Sequence, residues 1–489
     1  MNENILNIRR RPEKMNQDYT RVIIKYHSQN KKRANHIVQR ILELSEKRVN
    51  ELIKEILKDF SGRHKNLEKM FIKHYNKVSD LATIKSKISN NRKYLIGSYF
   101  SHEYSIEAAA FFNPSIVIHP DQKGLLKGHV RIILSFRATG EGHVSSVEFR
   151  SGILDDENNI LLDPISRYVE PPDVIENPLY DKHTFRLKLK EMGCNNELSA
   201  GIFSRLGNEF TLQQLKKVIK FTSGEVYFSH LVVERTIKNI LWLAKSNYEV
   251  EFQKNVNVSE RVLFPVTENE KNGIEDARFV RFIDNDGTIT YYATFTAYNG
   301  YTILPQLIET KDFLKFKIIT LNGDAVQNKG MALFPRKVNG KYMMISRQDG
   351  ENMYIMTSDN VHFWQEAKLL RRPLATWEFV QIGNCGSPIE TEKGWILLTH
   401  GVGPMREYSI GVDLLDLKDP SFIIASTKQP LLTPNDQERE GYVPNVVYTC
   451  GALIHNKELV IPYAMSDSTS GFALISLKNL FSVLLNQKK

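Results

Sequence analysis

Apolar residues recur every three or four positions across 28–60, at Ile37, Ile41, Leu42, Leu44, Val49, Leu52, Ile53, Ile56 and Leu57. That period gathers them on one face of a helix. Ser61-Gly62 interrupts it. A second helix is expected near 64–78, carried by Leu67, Met70, Phe71, His74 and Tyr75, and a third near 79–92. Together they predict an N-terminal helical module over residues 1–95. From about residue 110 the pattern becomes short alternating runs of β-branched and aromatic residues separated by turns. Helical patterning returns at 184–221, at 232–244 and at the C-terminal 477–485, while the proline-rich stretch 163–178 reads as an irregular excursion.

Within the strand-rich region a single unit occurs five times. A tight polar or glycine turn leads into an alternating strand, and a polar residue sits near the strand's end. The copies run from Lys127-Gly128 to Arg137, from Asp286-Gly287 to Thr294 and Thr296, and from Asn339-Gly340 to Arg347. The last two run from Lys393-Gly394 to His400 and from Asn456-Lys457 to Asp467. Such turns between alternating strands are strong hairpin signals. From the second copy on, the spacing is roughly 50 to 70 residues, the size of a four-stranded propeller blade. The longer first gap needs an insertion, at about 155–245. The expected fold is therefore an all-β five-bladed β-propeller over residues 96–489, with an N-terminal α-helical module and a partly helical insertion. Its strand ends would face one funnel, where Arg137, Asp276, Arg347, His400 and Asp467 meet. A β-sandwich with scattered polar residues is the competing architecture.

The densest local chemistry is Gly273-Ile274-Glu275-Asp276-Ala277-Arg278-Phe279, two carboxylates and an arginine within four positions at a strand entrance. A carboxyl that donates a proton must stay protonated near neutrality; Glu275 and burial against Phe279 are expected to raise Asp276. The alternative is a structural clamp between Asp276 and Arg278. Trp377 and Trp395 read as core, whereas Tyr442, beside Gly441 in a loop, is a candidate to stack on a sugar. The charged loop 436–440 reads as a solvated rim, and His119-Pro120-Asp121 as a turn.

Composition excludes several classes. The 489 residues are 42% hydrophobic and 25% charged, with no run near the roughly 20 apolar residues of a membrane span. The N-terminus lacks the apolar core of a secretory signal. Three scattered cysteines, Cys194, Cys385 and Cys450, make neither a disulfide framework nor a metal site. A reduced, cytoplasmic protein with no metal, no cofactor and no membrane partner is expected. The net charge of +9 is concentrated in the first hundred residues, as in Arg9-Arg10-Arg11 and Lys31-Lys32-Arg33. Without interleaved aromatics these runs read as solvated helix faces, not as a nucleic-acid site.

The chain resembles glycoside hydrolase family 130, the β-mannoside phosphorylases and β-mannosidases, over about residues 110–485. The likeness rests on Asn113-Pro114-Ser115, Arg137, Gly273 to Arg278, Ala332-Leu333-Phe334-Pro335 with Asn339-Gly340-Lys341-Tyr342, and Gly386 to Thr391 with Gly394-Trp395. Leu398-Thr399-His400-Gly401 and Ser466-Asp467 complete it. The helical module lies outside the usual family core. The resemblance implies a five-bladed propeller and an inverting reaction with Asp276 as general acid, acting through a sugar hydroxyl. It implies that Asn113, Ser115, Arg137 and Asp467 hold the mannosyl unit; Glu275, Arg278 and Tyr442 are further substrate-binding candidates. Phosphorolytic members surround phosphate with two arginines, a lysine and a histidine; the matching positions here are Lys329, Arg347, Glu390 and His400.

A carboxylate at Glu390 repels phosphate and suits water activation, and Glu351 is a second candidate base. The expectation is thus an inverting exo β-1,2-mannosidase acting on a β-mannooligosaccharide or mannosyl glycoconjugate, with Asp276, Glu390 and Glu351 catalytic. One alternative is a β-mannoside phosphorylase that takes inorganic phosphate as co-substrate and releases mannose 1-phosphate, with Lys329, Arg347 and His400 in its pocket. Another is a non-catalytic sugar-binding propeller. The helical module would cap the funnel, restrict chain length or join copies into a homo-oligomer.

Overall fold

The computed structural model describes residues 6–82, 84, 87–175, 178–222, 230–298 and 303–486. Residues 83, 85 and 86 of the expected third helix, and residues 176 and 177 of the proline-rich excursion, lie outside them. Among the described residues, five antiparallel meanders follow one another.

Sheet I runs Ala110–Ile118, Val130–Thr139, Ser145–Leu154, with Ile160–Leu162 and Val262–Leu263 both on its third strand. Sheet II runs Gly273–Ile283, Ile289–Tyr298, Ile303–Thr310, Lys315–Thr320. Tyr248–Glu251 and Asp173–Ile175 extend it, and a bridge from Gly273 to Ser145 joins it to sheet I. Sheet III is Ala332–Leu333, Tyr342–Ser346, Met353–Ser358, Ala367–Arg371. In sheet IV, Gln381–Asn384 and Ile389–Thr391 pair with opposite ends of Gly394–Val402, followed by Tyr408–Leu415 and Ile423–Ser426. In sheet V, Val447–Tyr448 and Leu453–His455 pair with Glu458–Met465, which is followed by Thr469–Ser476.

Each of the five turn–strand copies is the second strand of its sheet, which is why the polar residues at their ends share a structural position. Each sheet touches the next, and sheet V touches sheet I. Apolar side chains fill the spaces between, for example Phe282, Leu307, Met344 and Trp364 between sheets II and III.

The N-terminal hundred residues differ from a purely helical module. Arg9–Met15 is a strand that completes sheet V by pairing with Thr469–Ser476, and Val22–Tyr26 pairs with Ser101–Ser105. The single helix expected over 28–60 is two, Lys31–Leu42 and Glu46–Phe60, because Ser45 caps the second by accepting from the Arg48 amide. Leu67–Ser79 follows, and the expected helix at 79–92 is displaced to Asn90–Tyr99, capped in the same way by Ser89.

Arg21 is buried with Glu107, Glu148 and Arg150, in contacts of 2.7 Å from Arg21 to each carboxylate. Removing one partner would strand a buried charge, so this network fastens the N-terminal segment to sheet I. The insertion folds as helices Lys182–Glu191, Glu197–Ser204, Leu212–Thr222 and His230–Ser246 around its own core of Phe185, Leu198, Phe203, Leu215 and Leu243. A final helix, Leu477–Asn486, follows sheet V. No described helix is long and apolar enough to cross a membrane.

Candidate active site

In a regular strand Glu275 and Asp276 would face opposite sides. Here the pairing of Gly273–Ile283 with its neighbour slips between Glu275 and Arg278, and Asp276 takes a left-handed backbone with φ of 53°. This bulge turns both carboxylates toward Arg137. The Arg137 guanidinium lies 2.8 Å from Glu275 and 3.6 Å from Asp276. Its Nε donates to the Ser145 hydroxyl at 2.9 Å. Sheet I has a matching irregularity at Asn113, with φ of 50°, and the Asn113 amide donates to Asp276 Oδ1 at 2.7 Å.

Cations complete the surroundings. Lys329 Nζ is 3.7 Å from Glu275. Arg278, buried, donates from Nη2 to the Tyr448 hydroxyl at 2.5 Å. Gly330, at φ of 92°, lies beside that guanidinium: a Cβ there would stand 3.8 Å from both Nη atoms. Arg347 Nη1 donates to His400 Nε2 at 3.1 Å, and the His400 ring is flanked by Tyr408 and Tyr448. Asp467 sits in the turn between the second and third strands of sheet V, where Ser466 and Asp467 both have positive φ.

The charges settle one another. Burial pushes Asp276 up, but Arg137, Arg278, Lys329 and the Asn113 amide outweigh it and hold the carboxyl below the ordinary aspartate value. The expectation of a raised pKa is therefore corrected: at neutral pH the free protein carries Asp276 as a carboxylate. The reason is that Glu275 is itself paired to Arg137, so the cations dominate. Asp467 is the group that rises, to about 6, through burial and the neighbouring Asp276. His400 is held well below its usual value by burial and by Arg347 and Arg278, so it is a neutral acceptor for Arg347. Burial pushes Cys385 up to about 12, which removes it as a thiolate nucleophile. Among the described residues no group of three His, Cys, Asp or Glu could hold a metal ion.

The structure thus brings together Asn113, Arg137, Glu275, Asp276, Arg278, Lys329, Arg347, His400 and Asp467. It does not bring Glu390 to them. Along Gly394–Val402, Gly383 is opposite His400 while Glu390 is opposite Trp395. Five residues of strand separate the two registers, about 16 Å. Glu390 is half exposed and paired to Arg336, with contacts of 2.5 and 2.7 Å, and Arg336 lies over the Trp395 ring. Its assignment as a catalytic base is corrected accordingly. Ser115 is also corrected as a sugar ligand: it is fully buried, and its hydroxyl accepts from the Phe279 amide beneath the site. Glu351 has an exposed side chain on the loop after sheet III's second strand, and its carbonyl accepts from the Ile382 amide.

Sequence reasoning missed Tyr448 and Tyr408. Tyr448 lies in the apolar run Val446-Val447-Tyr448, where nothing signals that its hydroxyl meets Arg278. Trp377 and Trp395 are core, as read. Tyr442 is 59% exposed and stacks on His143 with ring centroids 5.4 Å apart.

The sequence model of glycoside hydrolase family 130, described as β-1,4-mannooligosaccharide phosphorylase, matches residues 226–486. The chain belongs to this family. It is 34% identical over 234 residues to a 1,2-β-oligomannan phosphorylase of Thermoanaerobacter sp. strain X514, covering 46% of this chain and 75% of that protein. It is 28% identical over 349 residues to a β-1,2-mannobiose phosphorylase of Listeria innocua, covering 69% and 90%. The solved complex of a Listeria innocua β-1,2-mannobiose phosphorylase with β-1,2-mannobiose is similar over 78% of this chain and 93% of its own, at 23% identity and a TM-score of 0.46. Family 130 membership gives the cation-lined carboxylates around Asp276 a chemical context.

Proposed function

We propose that this chain is a β-mannoside phosphorylase, with a five-bladed propeller as its scaffold and β-1,2-linked mannosides as substrates. The observation that carries the reading is the set Arg278, Lys329, Arg347 and neutral His400 around Asp276, with Glu390 at the far end of the strand. Phosphate needs several oriented cationic donors to leave water, and two guanidiniums with a lysine supply them. Hydrolysis would need a carboxylate base about 6.5–9.5 Å from the acid. Glu390, which would have filled that place, is engaged with Arg336.

In the proposed reaction a phosphate oxygen attacks the anomeric carbon from the face opposite the β-linked leaving group. The C–O bond to that group breaks, a new C–O bond to phosphate forms, and mannose 1-phosphate of inverted configuration leaves. The leaving oxygen takes its proton from Asp276 by way of a sugar hydroxyl, which gives up its own proton and receives the one from the carboxyl. Asp276 is ionised in the free protein, so it must gain a proton first. A bound phosphate dianion offsets the field of Arg278 and Lys329 and raises the carboxyl, coupling protonation of the acid to arrival of the nucleophile. Arg137, Glu275, Asn113 and Asp467 offer paired donors and acceptors for sugar hydroxyls.

The family membership and the two phosphorylase relatives support this reading over the hydrolase. The test is incubation of β-1,2- and β-1,4-mannobiose with and without inorganic phosphate. Mannose 1-phosphate formed only with phosphate is expected; free mannose released equally without phosphate would overturn it.

A further inference from the structure

Two loops flank the proposed sugar site, and residues 9–105 pin both of them. The first is the turn 140–144, after the strand that carries Arg137. Its carbonyl at Glu141 accepts from the Tyr104 hydroxyl at 2.7 Å, and its Glu141 carboxylate accepts from the Ser105 amide at 3.0 Å. Gly140 packs so closely on Ser105 that a Cβ there would meet its carbonyl oxygen at 2.5 Å. The turn leads through His143 to Ser145, the hydroxyl that holds Arg137.

The second loop is 433–446. Arg10, on the N-terminal strand of sheet V, grips its Glu438 with contacts of 2.8 and 3.1 Å and donates to the Thr433 carbonyl at 2.7 Å. Tyr463 donates to the same carboxylate at 2.6 Å. The Glu438 carbonyl accepts from the Ser466 hydroxyl at 2.6 Å, and the Val443 amide donates to the Ser466 carbonyl at 3.1 Å. Gly441 has no room for a side chain against Ser466, since a Cβ would meet its carbonyl oxygen at 2.4 Å. The loop is thereby fixed to the turn that bears Asp467. The two loop tips then meet: Tyr442 stacks on His143, and the Tyr442 side chain stays 59% exposed.

We infer that His143 and Tyr442 form an aromatic wall for the leaving-group sugar, and that Arg10 and Tyr104 are positioning residues that hold it. The inference rests on the reading of the site as a β-mannoside phosphorylase. An exposed ring braced from behind offers a face to the C–H side of a pyranose at small entropic cost, whereas an unbraced loop tip must be ordered on binding. Both braces come from residues before 106, whereas the family match begins at residue 226. The N-terminal region thereby acquires a role in sugar recognition.

The experiment runs the reaction in both directions. Tyr442→Ala is expected to raise KM for β-1,2-mannobiose, and for mannose as acceptor in synthesis, by about tenfold, equivalent to about 1.4 kcal/mol. KM for phosphate and for mannose 1-phosphate stays within twofold. Arg10→Ala shifts the same constants in the same direction by about threefold, Tyr104→Phe by less, and Arg10→Lys recovers part of the loss. Melting temperatures recorded beside them separate a loosened loop from a weakened fold.

Sugar constants unchanged in Tyr442→Ala would overturn the wall. For the braces, uniform losses in every constant with a lowered melting temperature would overturn positioning. Calorimetric binding of mannobiose to Asp276→Asn, with and without Tyr442→Ala, needs no turnover. Binding that depends on Tyr442 in a chain that ignores phosphate keeps the wall and sinks phosphorolysis. Phosphate-dependent turnover with binding indifferent to Tyr442 does the reverse.

Discussion

The two ends of the strand Gly394–Val402 set ionisable groups in opposite circumstances. At one end His400 is buried beside Arg347, neutral, and within the field of Arg278 and Asp276. At the other, Glu390 is beside Trp395 and shares a half-exposed ion pair with Arg336. The exposed pair is screened by water and contributes about 0–1 kcal/mol. The buried end has no such screening, so each charge there alters the protonation of its neighbours. A residue type thus carries little functional information until its register along the strand is known. The lesson is sharpest for Glu390, ten residues from His400 in sequence and at the wrong end of the sheet.

Asp276→Asn should break the buried end most severely. It keeps the shape and the contact with Asn113 but removes the transferable proton. Turnover is expected to fall by about 10²–10⁴, measured as mannose 1-phosphate release under saturating mannobiose and phosphate. Unchanged turnover would end the acid assignment. Arg347→Ala comes next. It deletes the donor to His400 and one of the proposed phosphate ligands. A charge-assisted hydrogen bond is worth about 1.5–3 kcal/mol, so KM for phosphate should rise about 10- to 100-fold. KM for mannobiose should move far less, and an equal rise in both would place Arg347 in general support instead of the phosphate pocket.

Much of this arrangement is legible in the chain. The five turn–strand units predict the second strand of every sheet, and with them the shared placement of Arg137, Arg347, His400 and Asp467. The periodicity is readable because the strands are buried on one or both faces and end in turns of fixed chemistry. What fails is instructive. The bulge at Asp276 has no composition signal, since Ile274 to Phe279 would read equally well as a regular strand. Without it neither the joint grip of Glu275 and Asp276 on Arg137 nor the lowered Asp276 can be foreseen. Arg9–Met15 is too basic and too far from residue 469 for its pairing in sheet V to show. Glu390 misleads because motif spacing fixes sequence distance but not the interruption at 385–388, which splits the first strand of sheet IV in two.

Asp467 sharpens the comparison through pH. Its folded value is raised to about 6, above the ordinary aspartate value of 3.8. Between those values the folded chain keeps a proton that the unfolded chain has lost. Stability therefore declines as pH rises through this window and levels off above it. Asp276 has the opposite sign: its lowered value adds stability above about pH 4 that is lost as pH falls further. His400, buried neutral, also opposes Asp467, since its contribution is lost as pH falls below about 6.5. The difference in melting temperature between the wild type and Asp467→Asn isolates the one group. The variant should gain on the wild type from pH 4 to pH 7, by on the order of 1 kcal/mol. A difference that is flat across this range would show that Asp467 is not perturbed.

Glu390→Gln probes the exposed end, and its expected effect is the smallest. The substitution keeps the side chain's size and one hydrogen bond to Arg336 while removing the charge. Because the pair is half exposed, the stability change should stay within about 1 kcal/mol. Phosphate-dependent turnover should stay within twofold, since about 16 Å of strand lies between Glu390 and the register of His400. Arg336 stays seated on the Trp395 ring, which limits the loss further. A near-null result is informative here because the hydrolytic alternative requires the opposite. If Glu390 activated water, removing its charge would cost at least a hundredfold in mannose release without phosphate. A loss of that size with the melting temperature unchanged would bring Glu390 into the site in the working enzyme and restore hydrolysis as the better reading.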